Sequence, residues 1–313
     1  MLNIHRRGGL ASSLLITALV LPATGYSDTI YQSVSNPSSS TQTSWNSAIW
    51  GTPTAAAPVG GNDYVTVAGG FSAAQTYVGT TVTGRVREDG ETFLGNSITV
   101  EANTEILIKG NAVTSTGNII LDGGVLRYAP NSAGTATVAG TLNVVSESYL
   151  GLSQTGTSTF NVNSTLTGSG LLHLAAGSSS GTPILNLILG GDLSGYTGTF
   201  DLGGSAGSAS NNKITLSFSQ DYTLSAGLEM GQYSTADVLD LNYDLTVGSF
   251  TFGATTLDAG TYDVSTLNTD FGNGAQFAGT GTLTVEAVPE PGTIALASLG
   301  GGFLLLLGRR QKR

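Results

Sequence analysis

Cysteine is absent from the 313 residues, which excludes a disulfide framework, a thiolate metal site and a cysteine nucleophile. Histidine occurs twice, at His5 and His173, too few imidazoles for a zinc centre in a chain without thiolates. Charge is scarce: 10% of residues are Asp, Glu, Lys or Arg, against about 25% in an ordinary soluble domain. Positive charge is scarcest. From Asp28 to Ala287 five basic residues (Arg85, Arg87, Lys109, Arg127 and Lys213) face 20 acidic ones, a net charge of −15. Such a surface repels phosphate backbones, so no nucleic acid partner is expected. Also missing between 28 and 287 is any sustained 3.6-residue apolar period with caps.

What is there instead is 45 glycines and short alternating runs of Val, Ile, Leu and Thr bounded by Gly, Asn, Asp or Ser, the pattern of an all-β body. A small-residue start followed by an apolar strand recurs at Gly95–Val100, Gly117–Leu121 and Gly140–Val144, with starts 22 and 23 residues apart. Gly170–Leu174, Gly198–Leu202 and Gly281–Val285 keep the local form and lose the spacing. A repeat of this length is about one turn of a parallel β-solenoid. The expected fold class is all-β, with parallel β-solenoid-like repeats over 44–210 and an antiparallel β layer over 211–287. A β-sandwich with irregular hairpins is the rival, favoured by the drifting spacing. Residues 28–43, rich in Ser, Thr, Gln and Asn, read as a flexible lead-in.

The ends read as addresses. Arg6 and Arg7, the apolar run Leu10–Leu21 and the small residues Ala23, Thr24 and Gly25 have the three regions of a secretory signal peptide, assigned to 1–27. The adjacent arginines leave both the general and the twin-arginine export routes open. At the other end Val288, Pro289, Glu290 and Pro291 precede an uncharged run, Thr293–Gly308, and then Arg309, Arg310, Lys312 and Arg313. Two prolines at alternate positions keep the joint extended and accessible. The apolar run is about 24 Å long as a helix, against a hydrocarbon core of about 30 Å, so it spans only with thinning or snorkelling arginines. A single C-terminal transmembrane helix is expected, with the four cations as its cytoplasmic stop.

These three elements, in order over 288–313, resemble the PEP-CTERM sorting tail. The resemblance implies an exosortase-type sorting protease as partner, cleavage near the motif, an inner-membrane intermediate and a final place at the cell surface, often beside exopolysaccharide. The body is also similar to autotransporter-like, Gly/Thr-rich repeat proteins, in Gly191–Phe200 and Ala259–Val264.

Candidate chemistry is thin. Gly203, Ser205 and Gly207 match a nucleophile elbow, but no helix pattern follows and both histidines precede the serine. His173 alternates with Leu172 and Leu174 and is expected to face solvent or make one hydrogen bond. Glu88, Asp89 and Glu91, and Asp237, Asp240 and Asp244, are the acidic clusters from which a glycosidase pair would come; solvated loops are the expected reading. Trp45 and Trp50 are expected to plug the open first coil, with a sugar-stacking platform as the alternative. No cofactor, metal or catalytic residue is assigned. The functional expectation is a non-enzymatic, exported structural protein of the surface or matrix. A carbohydrate-binding module or weakly glycan-active protein is the alternative, and self-association through β edges is a further one.

Overall fold

The computed structural model describes residues 27–33, 44–69, 75–77, 80–152, 156–176, 183–203, 213–231, 236–271 and 275–287. Almost every strand pairs in parallel with the strand one coil later, which builds a three-faced β-solenoid. The first face holds the first half of Ala112–Asp122, the first half of Thr135–Val144, then Gly156–Val162, Pro183–Leu189, Lys213–Phe218, Val238–Leu241 and Phe277–Gly279. The second begins with Thr29–Tyr31, Asp63–Val65 and Ser97–Glu101 and ends with Leu245–Val247 and Thr282–Val285. The third runs from Gly84–Glu88 through Thr104–Ile108, Val125–Tyr128, Ser148–Leu152, Leu171–Ala176, Thr199–Leu202 and Gly227–Met230 to Ser249–Phe252.

In-register stacking puts like side chains in columns. On the third face Val86, Ile106, Leu126, Leu150, Leu174, Leu202, Met230 and Phe252 form one unbroken inward column, and all are buried. A fully buried side chain of this size is worth about 1.5–3 kcal/mol, so each coil is held by its neighbours rather than by itself. The long strands bend between the first and second faces at Gly117 and Gly140, which are register partners. Gly140 has φ +97°, and a Cβ there would lie 2.3 Å from the Gly117 carbonyl oxygen. Only glycine fits that corner.

The start of the flexible lead-in assigned to 28–43 is ordered, with Thr29–Tyr31 paired in parallel with Asp63–Val65, and three further sequence expectations change. The antiparallel layer expected over 211–287 is confined to Thr255–Thr256 on Ser249–Phe252 and Gly260–Asp263 on Thr282–Val285. The other strands of that region continue the parallel stack. The drifting spacing therefore marks variable corners, not a sandwich. Thr159 stacks on Thr135, Asn186 on Thr159 and Thr215 on Asn186, offsets of 24, 27 and 29 residues. The extra residues enter after the third face: three between Leu152 and Gly156, six between Ala176 and Pro183, ten between Leu202 and Lys213. Third, Gly170 and Gly198 start third-face strands, whereas Gly117 and Gly140 sit at the bend between the first two faces. Sequence form alone merged two different corners.

Both ends of the lumen are closed by aromatic rings. At the N-terminal end Trp45 packs on Phe93 (5.3 Å between ring centroids), Trp50 on Tyr64 (5.1 Å), and Tyr64 on Phe93 (5.4 Å). At the other end Phe252 stacks on Phe271 at 4.6 Å and Phe277 packs on Phe250. Phe271 is delivered by the helix Val264–Asp270, whose first turn is capped by the Asp263 carboxylate accepting from the Thr266 N–H. Among the described residues no helix is long and apolar enough to cross a membrane. The expected transmembrane run Thr293–Gly308, the signal segment 1–26, Val288–Pro291, Arg309, Arg310, Lys312 and Arg313 lie outside the described residues.

Candidate functional site

The middle of the third face, from Thr104–Ile108 to Thr199–Leu202, differs from the other two faces in being covered on both sides. Every residue of Thr104–Ile108 and Ser148–Leu152 is buried, whereas Lys213–Phe218 on the first face alternates. A strand buried on both faces loses the alternating pattern that sequence analysis relies on. Part of the cover is Val82, which packs with the outward side chains of Val125, Tyr149 and Ala175.

The outward side of this face carries a column that is polar at every position but Val125: Arg85, Glu105, Val125, Tyr149, His173, Asp201, Glu229 and Thr251, each the register partner of the next. Glu105, fully buried, accepts from Arg127 Nε and Nη2, each at 2.6 Å, and is paired with Arg85 as well. A bidentate pair of this geometry offsets the desolvation that an isolated buried carboxylate would suffer. Four of the five basic residues of the body, Arg85, Arg87, Lys109 and Arg127, fall on three successive coils of this face. Their scatter through the sequence conceals that convergence.

His173 corrects its expectation. It is buried, with Nδ1 2.6 Å from Asp201 Oδ2 and Nε2 3.0 Å from Glu147 Oε1, and its ring stacks on Tyr149 at 4.7 Å. A neutral imidazole carries one N–H, so only the imidazolium donates to both carboxylates. Burial of the ring pulls its pKa down, but the hydrogen bonds to Asp201 and Glu147 and their charges outweigh that, and the net shift is upward. With both nitrogens engaged, this histidine ties three successive coils together.

The acidic clusters brace loops. Glu88 ends a strand, is fully buried, and its Oε1 accepts from the N–H groups of Gly90 (2.6 Å) and Glu91 and from the Ser115 hydroxyl (3.2 Å). Burial pushes its pKa from 4.5 to about 7 against the pull of those hydrogen bonds. Asp89 faces Arg87, and Glu91 accepts from Asn46 at 3.0 Å and from Ser44. Asp237 is buried and accepts from the Ile214 N–H at 2.8 Å. Asp240 accepts from the Asn242 amide at 2.6 Å, and Asp244 from the N–H (2.8 Å) and hydroxyl of Thr282. Glu88 and Asp237 depart from the expected solvated loop by being buried, and Asp240 by lying half-buried in the strand Val238–Leu241. Of the elbow motif, Gly203 ends the described segment at φ +113°, while Ser205 and Gly207 lie outside it. Trp45 and Trp50 are 0% and 1% exposed, so neither ring offers a face to a sugar. Among the described residues no group of three or more His, Asp or Glu is placed to hold a metal ion.

Two buried protons give the body a pH dependence. Glu88 and His173 both have folded pKa values above their unfolded ones. Each therefore contributes stability that is fully present below its unfolded pKa and is lost as pH rises through the folded value. For Glu88 that window runs from 4.5 to about 7, equivalent to about 3 kcal/mol. Denaturant titrations from pH 4 to 8 are expected to show wild type losing about that much relative to Glu88→Gln. The decline due to His173 remains in both proteins. Equal pH profiles for the two would contradict a buried, protonated Glu88.

One open trough of about 420 Å³ lies at the corner between the second and third faces of the last coils. Thr199, Gly227 and Ser249 are register partners along its length, with Ser225 beside them and Glu286 and Ala287 at its C-terminal end. The hydroxyls of Thr199, Ser225 and Ser249 and the Glu286 carboxylate make no hydrogen bond to another described residue. The Glu286 N–H donates to the Val247 carbonyl at 2.9 Å, the last backbone hydrogen bond among the described residues.

No curated protein and no solved structure matches the chain. A family model does match its end: residues 287–313 fit the PEP-CTERM protein-sorting motif, and the chain is thus a β-solenoid that carries a PEP-CTERM sorting tail directly behind its last strand.

Proposed function

We propose that this is a non-enzymatic structural protein of the cell surface or extracellular matrix. It is exported, held in the inner membrane by its C-terminal segment, cut at Val288–Pro291 by an exosortase-type protease, and displayed or released as a rigid β-solenoid. The observation that carries the reading is the position of the sorting motif: it begins at residue 287, one residue after Glu286, whose N–H makes the last backbone hydrogen bond among the described residues. The closed, aromatic-plugged lumen and the full engagement of His173 and Glu105 support a scaffold rather than a catalyst. The glycan-stacking alternative loses the two tryptophans on which it stood.

Fractionation tests the proposal. In cells with an active sorting protease the body is expected outside the cytoplasm and shortened, and a chain ending at Ala287 is expected in the medium or periplasm without passing through a membrane-bound form. Recovery of full-length protein from cytosol would overturn it.

A further inference from the structure

We propose that the trough beneath Ala287 is a docking seat for the enzyme that processes the tail: a donor-rich, outward-facing loop of that enzyme lies across Thr199, Ser225, Ser249 and Glu286 while the neighbouring motif is cut. The proposal rests on the sorting function proposed above and adds a contact on the folded body to it.

Reach is the first argument. Only residues 288–292 separate Ala287 from the apolar run that starts at Thr293, and five fully extended residues span at most about 18 Å. The trough is therefore tethered within that distance of the bilayer in which the apolar run belongs, alongside any enzyme that works on the motif. Topology is the second. The place next to Ser249–Phe252, where a continuing strand would pair, is already taken by Thr255–Thr256, so the trough stays open next to Ala287.

Chemistry is the third. Three hydroxyls and a carboxylate without partners among the described residues make an acceptor-rich strip. Gly227 keeps its floor bare: a Cβ there would lie 2.9 Å from Ser249 Oγ and 3.1 Å from Thr199 Oγ1. A backbone N–H, Lys or Arg can approach such a strip closely, and the net charge of −15 on the body favours a basic partner over an acidic glycan.

The test is pulse-chase conversion of the full chain to its shortened form in cells with an active sorting enzyme. Ser225→Trp fills the trough and Glu286→Lys reverses its charge, both at exposed positions. Each is expected to slow conversion about tenfold, the effect of some 1.4 kcal/mol of lost binding, while the body melts as wild type does. Conversion at the wild-type rate in both variants would overturn the docking seat and leave the sorting function standing. A wild-type chain that stays whole, like one carrying Pro289→Ala and Pro291→Ala, would overturn both. Should Ser225→Trp melt early, Glu286→Lys decides alone, because Glu286 is exposed.

Discussion

A chain ending at Ala287 is expected to melt as the full-length protein does, whereas one ending at Thr280 is expected to lose about 3–6 kcal/mol from its last coil. The difference is the strand Thr282–Val285. It lies between Leu245–Val247, with which it pairs in parallel, and Gly260–Asp263, with which it pairs antiparallel. Its Leu283 and Val285 are 0% and 5% exposed, and two such side chains at about 1.5–3 kcal/mol each give the stated loss. Asp244 also loses the Thr282 N–H and hydroxyl it accepts from. Because a solenoid is stabilised by nearest neighbours, the damage is expected to stay in the C-terminal coils. Hydrogen exchange on the two truncated chains checks this. Protection lost over 238–279 and kept over 97–152 is the expected result for the shorter one.

Trp50→Ala is the counterpart at the other end. Its indole is buried against Tyr64 and Phe93, and its Nε1 donates to the Trp45 carbonyl at 2.9 Å. Truncating a buried Trp costs about 3–5 kcal/mol, and here it also uncaps the lumen above Ile98 and Val100, which are fully buried. Denaturant melts followed by hydrogen exchange are expected to show early opening of 29–101, with the coils from Thr199 onward unaffected. A melt like that of wild type would mean that the plug contributes little and that another element closes this end.

The all-β class, the coil-length repeat, the plug at Trp45 and Trp50 and the sorting tail were legible because each rests on local signals: alternation, glycine corners, apolar ends that need covering, and a contiguous motif. Long-range register was not. The polar column from Arg85 to Thr251 joins residues 20 to 28 positions apart through corners of variable length, and no local pattern states which residue lands on which. His173 was misread for this reason. Alternation with Leu172 and Leu174 correctly places it on the opposite side from the lumen, but that side of the third face is itself covered. Glu88 looked like part of an acidic loop because its donors, Gly90, Glu91 and Ser115, are only brought around it by the turn and by the next coil. The trough could not be read at all, since its walls come from four separate coils.

Where the body ends up and where its chain stops decide the proposed role. Intact-mass measurement of the protein released from the surface of cells with an active sorting protease tests both together. A product whose C-terminus lies between Val288 and Thr293, with an intact solenoid and no apolar tail, is the predicted result. A mass that runs through to Arg313, or a terminus inside the strand Thr282–Val285, would contradict it.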